Sequence, residues 1–250
     1  MIEPILLSAI RIYTFQQDRW LTNASGFFFE VDGRLFLVTS RHVLYDEPSG
    51  HLPARQQIEL HTNKNNLAES TGYSIPLYNQ GQGTWRQGTD AAGAIDVAAV
   101  EIHREALPPG VFYRAFTPAH LLDRFDESAV EVGGSLLVVG FPLGFHDTLH
   151  HLPVARHAII ASAFGLRFQG EGYFLTDART HRGTSGAPVV MRIADAAANT
   201  EANLADLPWR LLGVHSARLD VGTRDLGLDE ALGLNCAWYA DILLTLTAGK

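Results

Sequence analysis

Apolar and polar positions alternate with a period of two along much of the chain, the mark of half-buried strands. Ile10, Ile12 and Thr14 alternate with Arg11 and Tyr13. The runs Gly26–Val31 (GFFFEV) and Arg34–Thr39 (RLFLVT) flank Asp32-Gly33. That dipeptide between two apolar runs predicts a hairpin, because both of its turn residues must reach positive φ. Residues 61–94 are rich in Asn, Gln, Gly and Thr and read as long loops around one or two strands. Ile95–Ile102 (IDVAAVEI) is continuous enough for a buried strand. Residues 104–131 read as a connector. Within it Thr117 is placed to cap a short helix that begins at Pro118 and runs to about Phe125.

A second strand set follows: Ser135–Gly140 (SLLVVG), Ala158–Ala161, Gly172–Thr176, Ala187–Met191 and Leu211–His215. Residues 195–207 are Ala-rich, with acids and no base, and read as a surface helix or insert. Trp238, Ile242 and Leu246 recur every four residues, which predicts a C-terminal amphipathic helix over 238–246. Many short strands in two sets argue for an all-β fold of two packed β-barrels with a C-terminal helix. The divisions are an N-terminal barrel over 1–115, a connector over 116–131, a C-terminal barrel over 132–235 and the helix over 236–250.

Composition narrows the function classes. Apolar residues are 46% and charged residues 18% of the 250, enough for a real core and unlike a disordered chain. The net charge of −8 makes nucleic acid and anionic membrane poor partners. No stretch approaches 18 apolar residues, and the first twenty residues hold no apolar core of a secretory signal. The single cysteine, Cys236, makes no intrachain disulfide. The expectation is a cytoplasmic protein of undetermined oligomeric state, with no cofactor and no metal. His146, His150, His151 and His157 form a patch, and the first two have helical spacing. That stretch follows a strand, contains Pro153 and lacks a cysteine, which argues against a zinc site.

Three segments carry chemistry when taken together. His42 lies just past a buried strand in Val38–Val43, and Asp96 is embedded in the apolar strand Ile95–Ile102. Ser185 stands in Arg182-Gly183-Thr184-Ser185-Gly186, ahead of another apolar strand. A serine hydroxyl is a poor nucleophile at neutral pH and needs a base within hydrogen-bond reach. Histidine fits, provided a carboxylate fixes its tautomer. A carboxylate among Ile95, Val97 and Ala98 avoids burial unless it is partnered, which favours Asp96 over its rival Asp90, set in a polar loop. The tetrahedral oxyanion needs backbone N–H donors, and a glycine two residues before the serine lets the Gly183 and Ser185 N–H groups converge.

With "LVTSRHV", "IDVAAVEI", "GFPLG", "RGTSGAPVV" and "LLGVHSA" in view, the chain resembles the chymotrypsin-like, or trypsin-like, serine peptidases in their short, disulfide-free bacterial form. The resemblance implies two six-stranded barrels with the site between them. It implies His42, Asp96 and Ser185 as the triad, Gly183 and Ser185 as oxyanion donors, and a polypeptide substrate. It also implies a pocket for the residue before the scissile bond, with Thr180 on one wall, Arg179 near the base, and His215 and Ser216 on the strand against it. A threonine and a histidine at these places are similar to the glutamate-selective members. One departure concerns activation. Most animal members have an aspartate before the serine that receives a newly cut N-terminus, and here that position is Thr184. The competing reading is a silent peptidase fold used as a binding module. An esterase elbow is disfavoured by Ala187, where its last glycine would stand.

Overall fold

A computed structural model describes residues 2–122, 130–193, 206–218 and 232–249. Its first ten strands are β1 (Ala9–Gln16), β2 (Arg19–Val31), β3 (Arg34–Thr39), β4 (Arg55–His61), β5 (Ser70–Pro76), β6 (Tyr78–Asn79), β7 (Gln82–Gly83), β8 (Trp85–Asp90), β9 (Gly93–Ile102) and β10 (Ala115–Phe116). A short helix, α1 (Arg41–Leu44), follows β3. The second half contributes β11 (Ser135–Gly140), β12 (Val154–Ile160), β13 (Tyr173–Asp177), β14 (Pro188–Arg192), β15 (Trp209–Arg218) and β16 (Leu234–Tyr239), then α2 (Ile242–Thr247).

The second half closes into the expected six-stranded barrel, in the order β11-β12-β13-β16-β15-β14. The first half departs from six strands. It is an eight-stranded sheet in the order β5-β4-β1-β2-β3-β9-β8, with β10 added in parallel to β2. Among the described residues no ladder joins β5 to β8. The two edges are linked where Thr84, just before β8, gives its N–H to the carbonyl of Leu77, just after β5, at 2.9 Å. Pro76 ends β5 at this seam, and proline offers no N–H to a ladder.

Period-two alternation divides the apolar side chains among three cores. On β2, Phe28 points into the first half with Ile12, Leu37, Ile58 and Val100. Its neighbours Phe27 and Phe29 point out, into an interface core shared with Phe141, Trp209, Val214 and Trp238. The second barrel has its own core around Val138, Ile160, Phe174 and Val189. The two halves are thus joined by apolar packing as continuous as either interior.

The Asp32-Gly33 turn has φ of +51° and +74°, as the sequence predicts. The C-terminal helix is shorter than its periodicity suggests. Trp238 lies in β16, paired with Tyr173, and only Ile242–Thr247 is helical. The four-residue spacing straddles a strand end and a helix, both of which face the interface core. The connector helix is one 3-10 turn, Pro118–His120, with Thr117 at its N-cap. Its expected continuation to Phe125, and most of the expected insert at 195–207, lie outside the described residues.

Candidate active site

Strand register brings His42 and Asp96 together. β3 and β9 pair antiparallel, and the last matched residues are Thr39 and Ala98. β3 then turns into α1 while β9 extends two residues further along the same line to Asp96. The carboxylate meets the start of the helix from two directions. Its Oδ1 accepts the His42 backbone N–H at 2.9 Å, and its Oδ2 lies 2.7 Å from His42 Nδ1. The Ser216 hydroxyl, reaching from β15, donates to the same Oδ2. Burial alone would raise the Asp96 pKa, but the His42 and Ser216 hydrogen bonds outweigh it and hold the carboxyl below its ordinary value. An imidazole that gives its Nδ1–H to a carboxylate keeps Nε2 as its basic nitrogen.

Ser185 stands in the loop between β13 and β14, half-buried and accessible. Among the described residues no hydrogen bond joins its Oγ to His42 Nε2; such bonds are often long in unliganded sites and tighten with substrate. The loop's backbone groups can be followed one by one. Thr184 N–H bonds the His181 carbonyl at 3.1 Å, with Gly183 at φ +92° in the third position, as in a type II turn. The Arg182 carbonyl accepts Leu143 N–H at 2.5 Å, and the Gly183 carbonyl accepts the Ser25 hydroxyl at 2.7 Å. The Ser185 carbonyl accepts Ser25 N–H at 2.9 Å. Gly186 N–H goes to the His215 carbonyl at 2.7 Å and Ala187 N–H to that of Thr184 at 2.9 Å. Among the described residues the N–H groups left without a protein acceptor in this loop include those of Gly183 and Ser185, the pair required of an oxyanion hole. A trans peptide sets its C=O and N–H on opposite sides. Anchoring the Arg182 carbonyl on Leu143 therefore aims the Gly183 N–H away from that loop.

Two glycines are sterically required. A Cβ on Gly183 would sit 2.5 Å from the Phe141 carbonyl oxygen, and one on Gly186 2.2 Å from the Ser25 carbonyl oxygen. Ser25 is the residue that sequence reasoning missed. A serine in a strand carries no motif, yet Ser25 on β2 is fully buried and binds the carbonyls of Gly183 and Ser185. It also accepts Phe141 N–H at 3.0 Å through its hydroxyl and the Thr39 hydroxyl at 2.8 Å through its carbonyl.

The expected pocket residues divide. Arg179 is exposed, not at a pocket base. Thr180 is buried and gives its hydroxyl proton to Asn235 Oδ1; the Asn235 amide in turn binds the Ala178 and Gly233 carbonyls. The imidazole of His215 is buried beside the nucleophile loop, with its backbone bonded to Gly186 and Ala187. Ser216 turns to Asp96 and serves the acid. The rival Asp90 pairs with Arg167 and accepts the Ala92 and Gly93 N–H groups, which closes the β8–β9 turn.

The histidine patch is engaged piecemeal. His150 pairs with Asp147 at 2.7 Å, and His157 bonds Ser135 at 2.9 Å. His146 Nδ1 lies 2.6 Å from the Gly144 carbonyl, and Arg11 Nη1 lies 2.9 Å from its Nδ1 and 2.5 Å from its Nε2. Burial pushes the Cys236 thiol up to about 11, so it is no competing nucleophile.

Comparison with known proteins agrees with this geometry. The family model of the trypsin-like peptidase domain matches residues 24–194. The chain therefore belongs to that family of serine endopeptidases. Similar solved structures include the active form of the Rv3671c protease from M. tuberculosis, at 15% identity, covering 99% of this chain and 86% of that one, with a TM-score of 0.52. Another is a serine endoprotease from Yersinia pestis, at 14% identity, covering 97% of this chain and 62% of that one, with a TM-score of 0.54. At such identities these likenesses speak for the fold. No curated protein matches the chain.

Proposed function

We propose that the chain hydrolyses peptide bonds through an acyl-enzyme, with Ser185 as nucleophile, His42 as general base and then acid, and Asp96 as the group that orients and stabilises the imidazolium. The observation that carries this is the pairing of the His42–Asp96 contact at 2.7 Å with the two unspent N–H groups of Gly183 and Ser185. In the first step Ser185 Oγ attacks the scissile carbonyl and its proton passes to His42 Nε2. The new oxyanion takes the Gly183 and Ser185 N–H groups. Collapse expels the amine, which leaves with the proton from His42. Water then repeats the sequence on the ester. Asp96 keeps its negative charge throughout, supported by Ser216.

For the residue before the scissile bond we propose a preference for Glu over Asp, with the His215 imidazole as the donor to the carboxylate. Thr180 contributes less than its position suggests, because its proton is committed to Asn235. A charged hydrogen bond contributes about 1.5–3 kcal/mol against the cost of desolvating the carboxylate. An unbiased peptide-library profile, with Ser185→Ala as the blank, tests both parts. Cleavage by the wild type alone, enriched for Glu and losing that enrichment in His215→Ala, is expected. Cleavage dominated by Lys, Arg or aromatic residues would remove the acidic preference, and equal cleavage by Ser185→Ala would remove the mechanism.

A further inference from the structure

The histidine patch does not answer a proton as one unit, and the exception is His146. Ile10 and Ile12 enter the first core, so Arg11 between them leaves the opposite face of β1. It is only 6% exposed, and a buried cation needs partners. Its Nη2 donates to Glu59 on β4 at 2.8 Å, and its Nη1 reaches the two ring nitrogens of His146 at 2.9 and 2.5 Å. Glu59 also accepts the Ser70 hydroxyl from β5. Burial alone would raise the Glu59 pKa, but the Ser70 and Arg11 hydrogen bonds hold it below its ordinary value. One carboxylate thus balances one guanidinium. The other titratable groups around the ring are Tyr13 on β1, His61 on β4, and Asp147, His150 and His151 on its own loop. Acid leaves their contacts in place. Tyr13 stays neutral, its phenol raised by burial. His61 Nε2 lies 2.7 Å from the His150 carbonyl, and a charged ring remains a donor. His150 faces Asp147 at 2.7 Å and His151 faces Glu59 at 3.7 Å, contacts that a proton strengthens. His146 is the reverse case. Arg11 offers only donors, so its contact needs a bare ring nitrogen, and an imidazolium has none. Protonation also sets a second cation against the first.

The same ring is tied to the oxyanion turn. His146 Nδ1 lies 2.6 Å from the Gly144 carbonyl. Gly144 N–H holds the Phe141 carbonyl at 2.9 Å, and Phe145 N–H holds that of Pro142 at 2.8 Å. Between them Leu143 N–H holds the Arg182 carbonyl, which shares its peptide with the Gly183 N–H. Leu143 has φ +53°, a conformation that persists only where its surroundings impose it. We infer that Arg11 and His146 form a proton-sensitive latch that positions the Gly183 N–H: the neutral ring docks the 141–146 segment, and a proton on it releases the segment and weakens the oxyanion hole. Both are positioning residues and act through Leu143. Docking and the proton compete for one ring nitrogen, so docking weakens as pH falls. The inference rests on the acyl-enzyme reading above.

The test compares the wild type with His146→Gln, whose carboxamide oxygen accepts from Arg11 at every pH and does not titrate. In the ratio of their kcat values on one peptide substrate, protonation of His42 and of the substrate cancels. The wild-type to variant ratio should be near one at about pH 8 and fall to about a tenth by about pH 4.5, short of the ~10²–10³ that outright loss of an oxyanion donor costs. The KM ratio should hold steady. Arg11→Met should show the opposite course, with kcat about tenfold below wild type at about pH 8 and converging on it in acid. Denaturant unfolding at each pH confirms that the compared chains are folded, and if Arg11→Met does not fold the His146→Gln ratio decides alone. A ratio that does not move with pH, a change carried by KM alone, or folded Arg11→Met with wild-type kcat at neutral pH overturns the latch. Fluorophosphonate labelling of the same preparations separates the two levels. Wild-type protein that labels at Ser185 yet gives a flat ratio refutes the latch alone, whereas wild-type protein that does not label refutes the acyl-enzyme reading and the latch with it.

Discussion

At Asp96, burial and hydrogen bonding pull in opposite directions, and the bonds to His42 and Ser216 win. A carboxyl whose folded pKa is lowered adds stability above its unfolded value, about 3.9, and loses it as pH falls through the folded value. The His42–Asp96 link should therefore stand at neutral pH and fail only in acid, below pH 4, which titration followed by NMR of the His42 ring would show. Removal of Ser185 or His42 should each lower turnover by roughly 10⁶, and removal of both by little more, because they act as one unit. Asp96→Asn should cost on the order of 10⁴ through the wrong tautomer. Steady-state kcat for the single and double variants checks this, and additive losses would contradict the shared mechanism. Cys236, with its thiol near 11, should resist iodoacetamide in the folded protein and react once it is denatured.

The nucleophile loop and the strands around it work as one element. Gly186→Ala would drive a methyl into the Ser25 carbonyl at a backbone φ of +85°. It should destabilise the protein by about 2–5 kcal/mol, measured by denaturant unfolding. Asp90→Asn should loosen the β8–β9 turn while sparing turnover, and the reverse pattern would reassign the acid. Much of this element was legible before the structure. His42, Asp96 and Ser185 sit in apolar settings that only partnered polar groups tolerate, and glycines at 183 and 186 announced a tight turn. Ser25 was not legible, because its value lies in contacts some 160 positions away along the chain. Ser216 was read as pocket wall because its register against Asp96 depends on how two sheets meet. β4 was missed because Gln56, Glu59 and His61 mask its Ile58 and Leu60 alternation. Trp238 was read as helix because strand and helix both face the interface core at that spacing.

At the scale of the molecule, the site lies across two sheets, with His42 and Asp96 on one and Ser185 on the other. Its geometry therefore depends on the apolar interface that joins them. Trp238→Ala should cost about 3–5 kcal/mol of stability and lower the fraction of chains that react at Ser185. Activation should not need cleavage, because the Thr184 hydroxyl bonds the His181 carbonyl at 2.7 Å and closes from within the turn that a new N-terminus would otherwise hold. The 250-residue chain should react as it stands, and labelling that appears only after trimming would contradict this.

The most direct test of the catalytic assignment is fluorophosphonate labelling of the full chain at neutral pH, with the adduct located by peptide mass spectrometry. One adduct per chain on Ser185 is expected, absent in Ser185→Ala and slowed by several orders of magnitude in His42→Ala. An adduct on another residue, or labelling of Ser185 at an unchanged rate in His42→Ala, would contradict the assignment.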